Sequence, residues 1–259
     1  MELTVIKIGG NVIDDKAKLA AFLQAFAGVG GYKILVHGGG KVATDIGRTL
    51  GIEPNYVNGR RITDEPTLEL VTMVYGGLLN KNIVAQLQAA GCNAMGLTGA
   101  DGAVLPADKR PVKDVDYGFV GDVKSEQVNG SLIRLLLQNG LTPVFAPLTY
   151  AQGSLLNTNA DTIAQEVAKA IAKHMPVQLV YCFEKKGVLM DAEDDDSAIN
   201  NITAKDMEEL KEKGIISGGM IPKLENALEA VAQGVQKVVI GHADELAGLI
   251  SGQAGTSIT

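Results

Sequence analysis

The chain has 259 residues, 46 % of them apolar, and a formal charge of −7. That length supports one large α/β domain or two small lobes around a substantial core, and the apolar content argues against disorder. The acidic balance excludes nucleic acid, which clustered Lys and Arg would have to hold, and no apolar run approaches the ~20 residues of a membrane span.

The N-terminal Met1-Glu2-Leu3-Thr4 lacks the basic and then apolar pattern of a secretory signal, so a cytosolic protein is expected. An apolar strand, Val5-Ile6-Lys7-Ile8, then runs straight into Gly9-Gly10. Asp14 to Gly28 carries Leu19, Phe22, Leu23 and Phe26 at the spacing of a helix with one buried face. The pattern repeats with a strand over Lys33 to His37, a turn at Gly38-Gly39-Gly40, and a helix whose expected buried stripe is Val42, Ile46 and Leu50. Strand, turn and helix in alternation imply parallel strands and an α/β fold.

Pro66 to Ala90 reads as one or two helices interrupted at Gly76-Gly77, with more apolar residues than a single stripe needs. Strands are expected at Ala94 to Leu97 and Thr142 to Pro147, and helices at Ser125 to Asn139 and Asn159 to Ala172. After Pro176 the theme returns as a strand over Val177 to Phe183, helices over Thr203 to Lys213 and Pro222 to Gln233, and a strand over Lys237 to Ile240. Thr203 with Asp206 forms a capping box, and no Pro/Ser-rich linker separates the halves. One continuous sheet with two functional halves divided near residue 175 is therefore expected.

Glycines after strands let backbone N–H groups approach an anion, and a following helix N-terminus favours negative charge. Lys7, inside an apolar strand, is costly unless an anion meets it, although an edge-strand lysine reaching water gives the same pattern. Lys223 falls in the first turn of its helix, where the dipole disfavours a cation; a bound phosphate or simple solvation resolves the conflict. Asp161 suits a helix start as a cap or as a functional carboxylate, and Asn157 and Asn159 fit either a turn or a polar substrate. Arg60-Arg61 after the Asn58-Gly59 turn could grip a carboxylate bidentately or stand in water. The run Asp191 to Asp196 lacks the glycine and distal glutamate of a calcium loop and reads as a solvated hairpin tip. Cys92 and Cys182 read as buried reduced thiols, and no metal site is expected. His37 is most simply structural.

Taken together, Lys7-Ile8-Gly9-Gly10, His37-Gly38-Gly39-Gly40, Asn58-Gly59-Arg60-Arg61-Ile62-Thr63, Asn157-Thr158-Asn159-Ala160-Asp161 and Gly218-Gly219-Met220-Ile221-Pro222-Lys223 resemble the amino acid kinase family over essentially the whole chain. The arginine and asparagine motifs resemble its acylglutamate-phosphorylating branch. The resemblance implies an αβα sandwich with a central, mainly parallel sheet. It also implies a single domain over 1–259, with an acylglutamate-binding and dimerisation lobe over about 1–175 and an ATP-binding lobe over about 176–259. The implied reaction is ATP-dependent phosphorylation of the side-chain carboxylate of N-acetyl-L-glutamate in arginine biosynthesis, with Mg²⁺ assisting. Lys7 and Lys223 would stabilise the transferring phosphoryl group and Asp161 would hold both lysines. Gly39, Gly40, Arg61, Asn157 and Asn159 would bind substrate. The nucleotide would meet Gly9, Gly10, Glu184, Lys185, Lys186, Gly187, Val188, Leu189, Ile215, Ile216 and Ser217. The family's Asp-Val-x-Gly turn is here Glu184-Lys185-Lys186-Gly187. Arginine-regulated relatives carry a helix ahead of the lysine strand, so the resemblance implies an arginine-insensitive homodimer joined through Leu70 to Leu79.

An N-succinylglutamate substrate fits the same motifs. From another class, Gly38-x-Gly40-x-x-Ala43 satisfies the dinucleotide fingerprint of an NAD-dependent oxidoreductase, but Arg60-Arg61 stands where that fingerprint needs an acid. A non-catalytic relative would have no need of Lys7, Asp161 and Lys223 together. An aspartokinase would need a regulatory domain, and a nucleoside-monophosphate kinase leaves Arg61 and Asn157 unexplained.

Overall fold

The computed structural model describes residues 2–191, 193–216 and 220–259. In chain order, β1 (Leu3–Ile8) leads into α1 (Gly10–Asp14) and α2 (Lys16–Ala27), followed by β2 (Tyr32–His37) and α3 (Gly40–Thr49). Next come the short strands β3 (Tyr56–Val57) and β4 (Arg60–Arg61), and a long helical segment composed of α4 (Glu65–Val71), a π-helix (Thr72–Leu79) and α5 (Asn80–Ala89). Then follow β5 (Ala94–Leu97), β6 (Asp108–Lys109), β7 (Gly121–Asp122), α6 (Gly130–Gln138), β8 (Thr142–Phe145), β9 (Leu148–Ala151), β10 (Ser154–Asn157) and α7 (Ala160–Ala172). The remainder is β11 (Val177–Phe183), β12 (Asn201–Ile202), α8 (Ala204–Glu212), α9 (Met220–Ala232), β13 (Lys237–His242), α10 (Leu246–Ser251) and β14 (Thr256–Ile258).

An eight-stranded sheet has the order β12-β14-β13-β11-β1-β2-β8-β5, and β14 runs antiparallel to β13 in an otherwise parallel centre. β1 pairs on both sides, with β11 and β2, and all six of its residues are buried. A strand covered on both faces needs a near-continuous apolar run, which explains Val5-Ile6 and Ile8 and excludes the edge-strand reading of Lys7. The two-residue period sends Leu3, Val5, Leu179 and Tyr181 into a core with α6, α7, α8 and α9. Ile6, Ile8, Val180 and Cys182 face the opposite core, with α2, the long helical segment and α10. Lys7 shares the parity of Leu3 and Val5 and so points toward α7 and α9 at the strand's C-terminal end.

Several expectations are corrected. Of the stripe expected on α3, Val42 and Ile46 pack partly buried against the core but Leu50 is 57 % exposed, and the buried positions are Ala43 and Gly47, where a Cβ on Gly47 would meet Leu70 at 2.7 Å. The Pro66 to Ala90 segment is not broken at Gly76-Gly77: its winding widens into the π-helix and remains helical to Ala89. The helix expected from Ser125 starts at Gly130, where the Asn129 side chain accepts the Leu132 N–H as a cap. α9 begins at Met220, two residues before Pro222, so the proline is its third residue. The last expected strand extends to His242, and β14 follows it. The Thr203–Asp206 capping box forms as expected, and both cysteines are free and buried. The Asp191 to Asp196 run lies in exposed turns, with Asp195 and Asp196 paired to Lys185 and Lys186; Ala192 lies outside the described residues.

Candidate active site

Lys7 is only 9 % exposed, and its Nζ stands 2.7 Å from Asp161 Oδ1 at an angle that makes an ion pair rather than a hydrogen bond. Asp161 is the second residue of α7, where the helix dipole favours its charge. The cap is Asn159, whose Oδ1 accepts the Asp161 N–H at 2.7 Å and the Thr162 N–H at 3.4 Å. The Tyr181 hydroxyl donates to the Asp161 carbonyl at 3.2 Å and so ties the start of α7 to β11.

Phe183, two residues beyond Tyr181, connects the two lysines: Lys223 Nζ lies 4.0 Å and Lys7 Nζ 5.6 Å from its ring centroid. Burial pushes the Lys223 ammonium below its ordinary range and the Lys7 charge adds to this, while Asp161 and Glu184 oppose it. Two cations and one carboxylate therefore share a half-buried space, which places net positive charge where an anion can enter. Gly9 completes the wall: a Cβ there would meet Lys7 Nζ at 2.7 Å, so the glycine leaves the ammonium its place.

The second glycine turn lies against the first. Gly38 N–H donates to the Ile8 carbonyl at 2.9 Å. Gly39, with φ of 145°, caps α3 beneath the side chains of Tyr75 and Leu79, where a Cβ would collide. Here the π-helix has its use, because it brings Tyr75, Leu79 and Asn80 against this turn. His37 is fully buried: its Nδ1 donates to the Gly38 carbonyl at 2.8 Å and its Nε2 accepts from Asn80 Nδ2 at 3.2 Å, the tautomer these partners require. Burial holds its imidazole down at about 4, neutral.

Arg61 is 8 % exposed; one Nη donates to the Gly40 carbonyl at 2.9 Å and to Thr44 Oγ1 at 2.8 Å, and its guanidinium stacks 4.8 Å from the Tyr56 ring centroid. The remaining guanidinium donors can serve a ligand carboxylate. Asn157 Nδ2 donates to Thr63 Oγ1 at 3.0 Å, which joins the asparagine motif to the arginine motif across 94 positions of sequence.

A cleft of about 430 Å³ opens at the C-terminal ends of β1, β11 and β13, lined by Lys7, Gly9, Gly10, Asn11, Glu184 and His242 among others. Crevices at the carboxyl ends of parallel strands are where such sheets take ligands. Of the remaining expected contacts, Lys185 and Lys186 point outward to their aspartates, and Val188 is buried with its N–H on Thr256 Oγ1 at 2.8 Å. A Cβ on Gly187 would crowd Thr256, Leu189 is partly buried, Ile215 is partly buried and Ile216 is buried. Ser217, with Gly218 and Gly219, lies outside the described residues. Sequence reasoning missed Phe183, Asn11, Thr44, Thr63, Tyr75 and His242; of these, only Phe183, beside Glu184 at a strand end, carried a local signal.

Among the described residues no three His, Cys, Asp or Glu side chains converge as a metal site. The glycine turn with its lysine fits the phosphates of a nucleotide.

Lys7, Asp161 and Lys223 gather beside a glycine turn at the C-terminal end of a central parallel strand, and residues 2–242 match the Amino acid kinase family, to which the chain belongs. It is 58 % identical over 258 residues to an acetylglutamate kinase of Bacteroides thetaiotaomicron, an alignment covering 99 % of this chain and 98 % of the relative. Among solved structures it is similar to smu.665 of Streptococcus mutans UA159, with 32 % identity, a TM-score of 0.79 and coverage of 99 % and 98 % of the two chains. A carbamate kinase from Giardia lamblia bound to AMP-PNP shares the fold at 14 % identity, with a TM-score of 0.70 over 99 % and 97 % of the chains.

Proposed function

We propose that the chain transfers the γ-phosphoryl group of ATP to the side-chain carboxylate of N-acetyl-L-glutamate, forming N-acetylglutamyl 5-phosphate for arginine biosynthesis. One observation carries this reading: the Lys7–Asp161–Lys223 cluster lies beside a glycine turn that packs on a second one, and Arg61 is anchored on that second turn. The acetylglutamate kinase relative at 58 % identity supports the choice of substrate.

The acceptor carboxylate is already ionised at neutral pH, so no general base is needed and His37, buried and neutral, is left to structure. A carboxylate oxygen forms the new O–P bond while the bond from the γ-phosphorus to the ADP oxygen breaks, and no proton moves. Lys7 and Lys223 take up the charge that spreads over the phosphoryl oxygens, and Asp161 keeps the two ammonium groups from repelling each other apart. Mg²⁺, carried on the ATP phosphates, supplies further charge neutralisation. The N–H groups of Gly9 and Gly10 would hold those phosphates, and the Glu184 to Leu189 turn with Ile215 and Ile216 would border the nucleoside. Gly39 and Gly40 receive the acyl substrate, Arg61 clamps its α-carboxylate, and Asn157 contacts its amide. Asn159, engaged as a cap, acts by fixing the turn that carries Asp161.

This reading assigns acylglutamate to residues 1–175 and ATP to 176–259. It makes the protein a cytoplasmic homodimer, in keeping with its reduced cysteines and with Met73 and Leu78, 56 % and 46 % exposed on the long helical segment. Hydroxylamine trapping of the acyl phosphate tests the function, with N-acetylglutamate, N-succinylglutamate, glutamate and carbamate compared in parallel. ATP-dependent hydroxamate from N-acetylglutamate is expected. Preference for N-succinylglutamate would replace the acyl group in the assignment, and activity on neither acylglutamate would refute it.

A further inference from the structure

The ion pair of Asp161 is the top of a polar seam that continues down the helix. On α7, Asp161, Gln165 and Lys169 follow one another at intervals of four residues and share one face. On α9, Lys223, Asn226 and Glu229 follow at intervals of three. The rungs match in order: Asp161 opposes Lys223 electrostatically, Gln165 Nε2 donates to the Asn226 carbonyl at 3.1 Å, and Lys169 Nζ meets Glu229 Oε1 at 3.1 Å. The two helices therefore run parallel, with both N-termini toward the phosphoryl site. Lys169 also reaches Glu166 at 2.8 Å, and its side chain is 5 % exposed.

The lower rungs accompany an apolar contact in which Ile163, Val167 and Ile171 of α7 and Leu224 of α9 are wholly buried beside small residues. Ala164 and Ala168 of α7 and Ala227 and Ala230 of α9 are all within the same core and nearly or wholly inaccessible. Small side chains let helices approach closely, and polar contacts between them add a direction that apolar packing lacks. A buried ammonium is a poor way to gain stability, since an apolar side chain of similar volume does as well or better, whereas directional polar contacts do specify a register. Burial drives the Lys169 ammonium down, but Glu166 and Glu229 outweigh it and the net shift is upward, so the charge persists.

We propose that Gln165 and Lys169 are positioning residues for phosphoryl transfer, which, through the Asn226 carbonyl and Glu229, set the height of Lys223 opposite Asp161. The proposal rests on the phosphoryl-transfer role given to Lys223 above. A displacement of about 1 Å at a charge-stabilising group can cost up to 10²-fold in rate, so a slip of α9 would appear in kcat before it appeared in substrate affinity.

Gln165→Leu and Lys169→Met would be assayed in the full chain with ATP and N-acetylglutamate, alone and in a Lys223→Ala background. Each is expected to lower kcat about tenfold with KM for the acylglutamate within twofold, and to cause no further loss once Lys223 is absent. Should Lys169→Met fail to fold because Glu166 loses its partner, Gln165→Leu carries the test, since the Asn226 carbonyl lies inside α9 and keeps its intrahelical bond four residues on. Lys211→Ala is the control, because it removes an exposed α8 contact to Glu225 of α9 and is expected to leave kcat unchanged. The proposal is overturned if Gln165→Leu retains full kcat, if the losses are equal in both backgrounds, or if Lys211→Ala costs as much. A Lys223→Ala variant that turns over normally would instead refute the role of Lys223.

Discussion

Replacing Asp161 by Asn removes one charge and almost no volume, so it isolates what the carboxylate does between two lysines. At 2.7 Å from Lys7 the gross attraction is about 6 kcal/mol at an effective dielectric of about 20. Desolvation offsets much of that, and the two side chains are 11 % and 29 % exposed, so the pair lies between a surface pair worth under ~1 kcal/mol and a buried one whose breaking costs about 3–5 kcal/mol. A stability loss of about 2 kcal/mol is expected in urea unfolding at pH 7. The catalytic loss is larger: removing a group that organises transition-state charge costs about 10²–10³ in kcat. The pH dependence has a definite sign. The Lys223 ammonium is already lowered by burial and is partly restored by Asp161, so without the carboxylate it deprotonates at lower pH and the alkaline limb of kcat moves down. The assay is hydroxamate formation across pH in Asp161→Asn and wild type. A kcat within threefold of wild type together with an unmoved alkaline limb would refute the arrangement described here.

His37 is neutral and fully buried, with a folded value of about 4 against 6.5 unfolded, so the unfolded chain binds the extra proton between those values and stability falls as pH drops through that window. The expected loss is about 3 kcal/mol from pH 7 to pH 4, and an equal pH slope in His37→Gln would contradict it. Gly9 has an extended backbone that accepts alanine, yet the new Cβ would displace Lys7 Nζ; kcat in Gly9→Ala should fall at least about tenfold with the melting temperature nearly unchanged. Cys182 is 2 % exposed and its thiol is pushed up to about 12 by burial, so iodoacetamide at pH 8 should label it only after denaturation; labelling of the native protein would count against the core packing. Met73→Glu with Leu78→Glu should halve the mass seen by light scattering, and a wild type that already has the mass of one chain would end the dimer proposal.

The elements that were readable in the sequence are those whose large apolar residues face a core. The run from Val177 to Phe183 reads as the strand it is, and Leu19, Phe22, Leu23 and Phe26 are the buried face of α2. The reading failed where close approach, rather than apolar area, decides the contact. In α3 the most deeply buried residues are Ala43 and Gly47, whereas a search for bulky apolar side chains selects Val42 and Ile46, which are partly buried, and Leu50, which is exposed. The π-helix was equally hidden, since Gly76-Gly77 marks a change of winding as readily as a break. The small strands β3, β4, β9 and β10 are defined by their partners, and partners are not visible in a linear reading.

The candidate site divides in the same way. Lys7 and the glycine turns announced themselves because a cation in an apolar strand and glycines at strand ends conflict with local rules, and such conflicts tend to mark function. Phe183 carried only its place beside Glu184 at a strand end as a signal, yet its ring is where Lys7 and Lys223 come nearest to a common surface. Nothing marked Gln165 and Lys169, which look like ordinary polar positions on a helix until α9 is laid beside α7. A residue that binds an anion must break a local rule at its own position, and so it can be read from its neighbours in sequence. A residue that holds the binder in place breaks no such rule, because its purpose lies in a partner some 60 positions away, and only the packed structure exposes it.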